Sequence, residues 1–227
     1  MTNHENKFDV FVFSKTVAYR HDSIPAGIEG LKNLGASSNS FNVTASEDAS
    51  LINAPFLSRF KVVLFLSTSG EFLTAEQLQG LKAYVNNGGG FVGVHCAASG
   101  MYAEPWYGEL VGAYFAGHPE PQHGAVKVEA ENKGHFIMSG FPAEMGWFDE
   151  WYNFKTNPRG KVTVLLSTDE GLYKGGTMGG DHPLAWCREF DGGRTFYTAL
   201  GHFDEAYRDK TFMSHLLNGI LWAARVV

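Results

Sequence analysis

Four stretches of the chain carry side chains suited to chemistry. The first is Gly93-Val94-His95-Cys96-Ala97-Ala98, where an apolar run ends in a histidine and a cysteine among small residues. A tight strand-to-helix elbow needs small residues two places before and two places after its apex. Centring on His95 puts Gly93 and Ala97 in those places, whereas centring on Cys96 puts β-branched Val94 in one of them. His95 is therefore the expected apex, and Cys96 reads as a small packed residue. Covalent acyl transfer would need Ser or Cys at the apex, so thiol catalysis is not expected. The other three stretches are His21, in the loop after the first apolar run; Asp149 and Glu150, beside Trp151-Tyr152-Asn153-Phe154; and His202, after the strand-like segment 195–200. Three imidazoles and a carboxylate suit a divalent metal. They serve equally as metal-free acid and base groups, and no HExxH or comparable local signature decides between the two.

Each residue also has a plainer reading. A lone loop histidine is commonly a surface group or a local hydrogen-bonder, and Asp149 and Glu150 also fit solvated strand-start positions. His118, His123 and His182 sit near Pro or Gly and read as loop residues lining a cleft, while His4, His135 and His215 read as structural or solvent-facing. Tyr19, Trp106, Tyr107, Trp147, Trp151 and Tyr152 fall in or near the expected loops. Flat rings with polar edges suit sugar faces, although most aromatics belong to cores.

The elements that must position these groups are legible from hydrophobic period. Phe8–Phe13 and 61–67 are nearly continuous apolar runs, the pattern of strands buried on both faces, and 41–45 is a further strand. Asp22 or Ser23 is the expected N-cap of a helix carrying Ile28, Leu31 and Leu34, with Pro25 in its first turn and Gly35 as its stop. Thr74 and Gln77 form a capping box for a helix with Leu78, Leu81 and Val85 on one face, which delivers the chain to 86–99. This alternation predicts right-handed βαβ units on a parallel sheet, whose strand ends are where ligands bind. Beyond the elbow, 105–112 reads as a helix and 117–121 as an irregular loop; 125–130, 149–154 and 162–167 read as strands. Segments 184–190 and 194–200, joined by Asp191-Gly192-Gly193, read as a hairpin, and 205–224 as a closing amphipathic helix.

Composition narrows the function classes. A chain of 227 residues with no visible boundary or internal repeat fits one α/β domain over 1–227. With 18 basic against 24 acidic residues and no run of like charges, nucleic acid and anionic membrane surfaces are not expected partners. The N-terminal residues lack the pattern of a signal peptide, and no apolar stretch approaches the roughly 18 residues of a membrane helix. Cys96 and Cys187 stand far apart with no CxxC pair, so no disulfide framework is expected and the cytoplasm is the expected compartment.

Taken together, Phe8–Phe13 followed by Tyr19-Arg20-His21, Gly88-Gly89-Gly90-Phe91-Val92-Gly93-Val94-His95, Asp149-Glu150-Trp151-Tyr152, and His182-Pro183-Leu184-Ala185-Trp186 running through Gly192-Gly193-Arg194-Thr195-Phe196-Tyr197 to Gly201-His202 resemble the ThuA-like family, named for trehalose utilisation. The resemblance covers nearly the whole chain. It implies a single three-layer α/β domain with a mainly parallel sheet flanked by helices, of the class I glutamine amidotransferase-like, flavodoxin-like kind, with a C-terminal hairpin and helix. That superfamily normally carries cysteine at the elbow apex, and His95 in its place argues against glutaminase activity. The family is associated with catabolism of trehalose and related disaccharides, in which a sugar oxidised to its 3-keto form is processed further.

The expected function is an enzyme of carbohydrate catabolism acting on a sugar or keto-glycoside by isomerisation, elimination or hydrolysis. The alternative is a non-catalytic sugar-binding or accessory protein on a degenerate scaffold. A ketone acidifies its neighbouring C–H, so the site needs a base and an electrophile that holds the enolate charge. Glu150 is the expected base, with His95 and His21 as its catalytic partners. His21, His95 and His202 are the expected ligands of a divalent metal such as zinc or manganese, and Tyr19, His118 and Trp151 the expected substrate contacts. The expected partner is a small-molecule carbohydrate, with self-association left open.

Overall fold

The structure, a computed structural model, describes residues 7–227. His4 and the segment read for a leader therefore lie outside the described residues, His4 and its neighbours to residue 6 being undescribed. Among the described residues no helix is long and apolar enough to cross a membrane.

In chain order the strands are β1 Phe8–Phe13, β2 Phe41–Ser46, β3 Val62–Leu66, β4 Ser69–Gly70, β5 Gly90–Val94, β6 Ser99–Gly100, β7 Phe115–Gly117, β8 Gln122–Val128, β9 Glu144–Asp149, β10 Asn153–Phe154, β11 Thr163–Thr168, β12 His182–Phe190 and β13 Gly193–Thr198. The helices are α1 Ile24–Ser38, α2 Ala54–Leu57, α3 Ala75–Asn86, α4 Pro105–Val111 and α5 Lys210–Ala223. Nine strands form one sheet in the order β2-β1-β3-β5-β13-β12-β11-β8-β9, while β4 pairs with β6 and β7 with β10.

The sheet is mixed rather than mainly parallel. Pairings from β2 to β13 are parallel. From β13 to β9 every pairing is antiparallel. The reversal begins at the β12–β13 hairpin. Phe190 is the register partner of Gly193, so the loop is only Asp191-Gly192, and both have positive φ, 52° and 93°. This is the two-residue turn whose twist suits an antiparallel pair, and Gly193 belongs to the strand and not to the turn.

Burial explains the strong strand signals, since Val62 to Leu66 are all fully buried and so are Val10 to Phe13. The capping box holds, with Gln77 N–H donating to Thr74 Oγ1 at 3.3 Å and Thr74 N–H to Gln77 Oε1 at 2.9 Å. Ser23 occupies the α1 N-cap position without a capping hydrogen bond. Gly35 does not stop α1, which runs on to Ser38 and ends at Asn39 with φ 55°. A Cβ at Gly35 would lie 2.4 Å from the Phe41 carbonyl, so the glycine is there to let β2 approach the helix. Residues 149–154 are not one strand either, because β9 ends at Asp149 and the chain turns inward before β10. The last helix starts later than 205, because Asp209 caps it by accepting from Thr211 and Phe212 N–H at 2.9 and 2.8 Å.

Candidate active site

The elbow is real. His95 follows β5 with φ 52°, a left-handed conformation costly for a residue with a Cβ, and a short 3₁₀ turn His95–Ala98 follows it. A Cβ on Gly93 would lie 3.0 Å from the Tyr197 ring and 3.4 Å from Ala97 Cβ, which accounts for the small residues on both sides. The strained backbone is held from outside. His95 Nδ1 donates to the Ala199 carbonyl at 2.7 Å, and Tyr197 O–H donates to the His95 carbonyl at 2.8 Å. With its proton on Nδ1, His95 turns the Nε2 lone pair inward.

Three other groups meet that lone pair. His21, from the loop after β1, brings Nε2 to 3.1 Å, and His202, from the loop after β13, brings Nδ1 to 3.3 Å. Glu150 Oε2 stands 3.4 Å from His95 Nε2 and 3.0 Å from His202 Nδ1. Donor atoms of His21, His95, Glu150 and His202 all lie within 4.8 Å of one another, and His21, His95 and Glu150 are buried. Strands β1, β5 and β13 run in the same direction, so their following loops share one edge of the sheet. Glu150 follows β9, and four successive antiparallel pairings restore the direction of β13 by that strand. Its C-terminal end therefore faces the same edge, and the antiparallel half curls until Glu150 reaches His202.

Asp149 fixes that closure. Its Oδ2 accepts from Gly201 N–H at 3.0 Å and from Trp147 Nε1–H at 2.8 Å. Its Oδ1 accepts from Glu150 N–H at 2.9 Å and His202 N–H at 3.2 Å. The residue is 1% exposed, so the solvated-position reading is wrong for it: it staples β9 to the loop that carries His202.

The electrostatics divide the cluster. Burial pushes the His21 imidazole down to about 3, and the charges of His95 and His202 act in the same direction, so His21 is neutral at physiological pH. Burial works to raise the Glu150 carboxyl, but its close contacts with the His202 and His95 rings outweigh it and hold the group well below the usual carboxylate range. Burial raises the Cys96 thiol to about 11, which leaves it protonated and inert, as a packed cysteine should be.

Above the cluster opens a pocket of about 200 Å³ lined by Tyr19, Ser99, Phe115, His118, Glu150 and Tyr152 among others. Two expected substrate contacts, the exposed Tyr19 and His118, stand on its wall, and His118 Nε2 lies 3.4 Å from Glu150 Oε1. The third, Trp151, does not. It is fully buried, lies over Gly124, stacks on Tyr173 at 5.1 Å and donates Nε1–H to the Gln122 carbonyl at 3.0 Å. It is a core residue with no face for a ligand. Its neighbour Tyr152 takes the place beside the site, with its hydroxyl 2.9 Å from His95 Nε2. The six-residue stretch gave no signal for which ring would turn inward.

His182 is also not a cleft residue: it is buried in β12, its Nδ1 is 2.7 Å from Tyr173 O–H and 2.9 Å from Glu170 Oε1, and its Nε2 donates to the Tyr152 carbonyl at 2.8 Å. His215, read as structural or solvent-facing, is the former, sealed between Phe141 and Phe196.

A family model described as trehalose utilisation, ThuA, matches residues 9–223. Among solved structures the chain is similar to a thua-like protein from Bacteroides uniformis, with 26% identity and a TM-score of 0.78 over 95% of this chain and 91% of that one. It is similar in fold to a thua-like protein from Parabacteroides merdae, at 20% identity and a TM-score of 0.80 over 97% and 91% of the two chains. A cytoplasmic protein from Salmonella typhimurium shares the fold at 12% identity and a TM-score of 0.65, over 95% of this chain and 98% of the other. No curated protein sequence matches the chain.

Proposed function

The chain belongs to the ThuA trehalose-utilisation family, and from that premise we propose that it is a metal-assisted enzyme acting on an oxidised sugar or keto-glycoside. The observation that carries this reading is the convergence of the His21, His95 and His202 nitrogens on one point below a pocket, with Glu150 completing the set. The spacings fit a cation. Bonds of about 2.05 Å in a tetrahedron put neighbouring donor atoms about 3.3 Å apart; four of the six separations here are 3.1, 3.3, 3.4 and 3.0 Å, and all six lie within 4.8 Å. The ring nitrogens of His21, His95 and His202 stand close enough to share a proton or a cation, and imidazole with carboxylate suits zinc or manganese. A divalent ion held there supplies a Lewis acid for a carbonyl oxygen.

The chain's own residues do the rest. Glu150 is ionised at neutral pH and offers Oε1, which faces His118 and the pocket rather than the His95 and His202 nitrogens, as acceptor for the proton next to the ketone. It is a weak base, so it can act only on a C–H acidified by that ketone, which is why an oxidised sugar suits the site better than an ordinary glycoside. Tyr19 and His118 hold and orient the substrate at the pocket wall. The enolate so formed isomerises when the Glu150 carboxyl returns its proton at another position, or it expels the glycosidic oxygen, which takes that proton and leaves as the alcohol. The partner is a small carbohydrate, and the setting is the cytoplasm, the compartment named for the Salmonella neighbours.

The test is turnover of a 3-keto-disaccharide by purified protein whose metal content is measured, with and without chelator. About one divalent ion per chain, activity lost on its removal, and a drop in kcat of about a hundredfold or more in His95→Ala are expected. Turnover unchanged in His95→Ala would refute the site. Sugar-induced stabilisation without any turnover would make the chain a sugar-binding protein instead.

A further inference from the structure

The turn after β9 brings one more polar atom to the histidine nitrogens, the Tyr152 hydroxyl. It stands 2.9 Å from His95 Nε2, closer than His21, His202 or Glu150, whose atoms lie 3.1, 3.3 and 3.4 Å from the same nitrogen. The residue lines the pocket over the cluster beside Glu150. Its ring is packed on three others, with centroids 4.2 Å from His95, 4.4 Å from Phe115 and 5.8 Å from His118, the last pair stacked. Its main chain is fixed as well. The Tyr152 carbonyl accepts from His182 Nε2 at 2.8 Å, and the Asn153 side chain that follows is tied to the backbone of Gly175 and Thr177. A hydroxyl held in this way needs no rearrangement when charge develops beside it, which is the property of an oxyanion donor.

The other donors around the pocket are committed or poorly suited. His118 Nδ1 donates to the Pro119 carbonyl at 2.9 Å, and its Nε2 faces Glu150. Ser99 Oγ is paired with the Tyr102 hydroxyl at 3.2 Å, Tyr19 is 64% exposed, and the Cys96 thiol is a weak donor by nature. The Tyr152 hydroxyl has His95 Nε2 as its hydrogen-bond partner, so once that lone pair goes to a cation the phenol proton is left for an acceptor in the pocket.

The reaction proposed above creates such an acceptor. When Glu150 takes the proton beside the ketone, the C–H electron pair forms a C=C bond and the C=O pair moves onto oxygen, so a negative charge builds on an atom that is neutral in the substrate. A donor aimed at that oxygen binds the enolate more strongly than the ketone, and the difference lowers the barrier. We propose that Tyr152 is a catalytic residue that donates its O–H hydrogen bond to the enolate oxygen. The hydroxyl keeps its own proton throughout. The proposal rests on the sugar-enzyme reading above and adds to it the group that meets the charge Glu150 creates.

The experiment compares the full chain as wild type and as Tyr152→Phe, which removes one oxygen and keeps the ring. Two quantities are read. One is the rate at which the proton beside the ketone of methyl 3-keto-α-D-glucopyranoside exchanges with deuterium oxide, followed by proton NMR. The other is the calorimetric affinity for kojic acid, a pyranose-sized ring with an enolic oxygen beside a ketone. Metal content and the urea midpoint are measured on the same samples. Tyr152→Phe is expected to slow exchange about a hundredfold or more through kcat with KM nearly unchanged, and to weaken kojic acid binding about tenfold, with metal content as in wild type. Either readout unchanged in a variant that holds as much metal as wild type refutes the donor and leaves the sugar-enzyme reading standing. A variant that loses its metal or unfolds at markedly lower urea makes the hydroxyl a support for His95 and overturns the proposal. Wild type that exchanges nothing ends the sugar-enzyme reading and the donor with it.

Discussion

Replacing Asp149 by asparagine tests the account of how the site is assembled. The carboxylate accepts four hydrogen bonds, two at each oxygen, from Gly201 N–H, Trp147 Nε1–H, Glu150 N–H and His202 N–H. An amide of the same shape has one oxygen, so either way round it leaves two donors facing an NH₂ group. A hydrogen bond to a charged acceptor contributes about 1.5–3 kcal/mol, so losing two costs about 3–6 kcal/mol. Two terms reduce this. The neutral amide is cheaper to bury than an ion, and Trp147 is only partly buried, so water can reach its indole N–H. The expected net loss is about 2–4 kcal/mol, which with a urea m-value of about 3 kcal/mol/M lowers the unfolding midpoint by about 1 M. Because the staple holds the His202 loop against β9, Asp149→Asn is also expected to weaken divalent-metal binding, measured by competition with a chromophoric chelator. A midpoint shift below about 0.2 M with metal affinity unchanged would show that the carboxylate does not hold β9 to that loop.

Two further outcomes follow from buried titratable groups. Neither nitrogen of His215 has a hydrogen-bond partner among the described residues, and burial lowers the ring to about 3. Below the unfolded value near 6.5 the unfolded chain takes up a proton that the folded chain refuses, so stability is full above that pH and falls as the pH drops toward 3, by on the order of 1 kcal/mol per pH unit; His215→Leu is expected to flatten urea-midpoint profiles between pH 6 and 4 by that amount, and an unchanged slope would refute it. Cys96 and Cys187 are raised to about 11 and about 12 by burial. At pH 8 the Cys96 thiolate is then about one part in a thousand, so iodoacetamide is expected to label both cysteines in urea and neither in the native protein; fast native labelling of Cys96 with loss of turnover would revive a thiol mechanism.

The centre of the fold and the His95 elbow were legible because their signals are local, whereas His21 and His202 had only their places after expected strands to point to them. Val62 to Leu66 is apolar throughout because both faces of β3 are covered, and Gly93 and Ala97 mark the elbow because the backbone at His95 leaves room for nothing larger. What was not legible depends on contacts distant in sequence. The mixed sheet follows from the two-residue turn at Asp191-Gly192, which reads much like a three-residue loop until the register of Phe190 with Gly193 is known. Gly35 looks like a helix stop until Phe41 packs on it. Asp149 looks like a surface acid until two donors from the distant Gly201–His202 loop join two from its own neighbours Trp147 and Glu150. Tyr152 and not Trp151 stands at the site because one residue of register at the inward turn after β9 decides which ring meets His95.

The cluster draws its groups from unequally anchored parts of the sheet. His95 and His202 follow strands paired on both sides, whereas Glu150 and Asp149 stand at the end of β9, which is hydrogen-bonded to β8 alone. In native-state exchange such an edge strand opens before the sheet around it. Its opening would take away the carboxylate together with the Asp149 acceptor that holds the His202 loop, while His21 and His95 keep their places on the paired strands. The carboxylate of the cluster thus hangs from the outermost strand of the sheet, and the imidazoles from its inner strands.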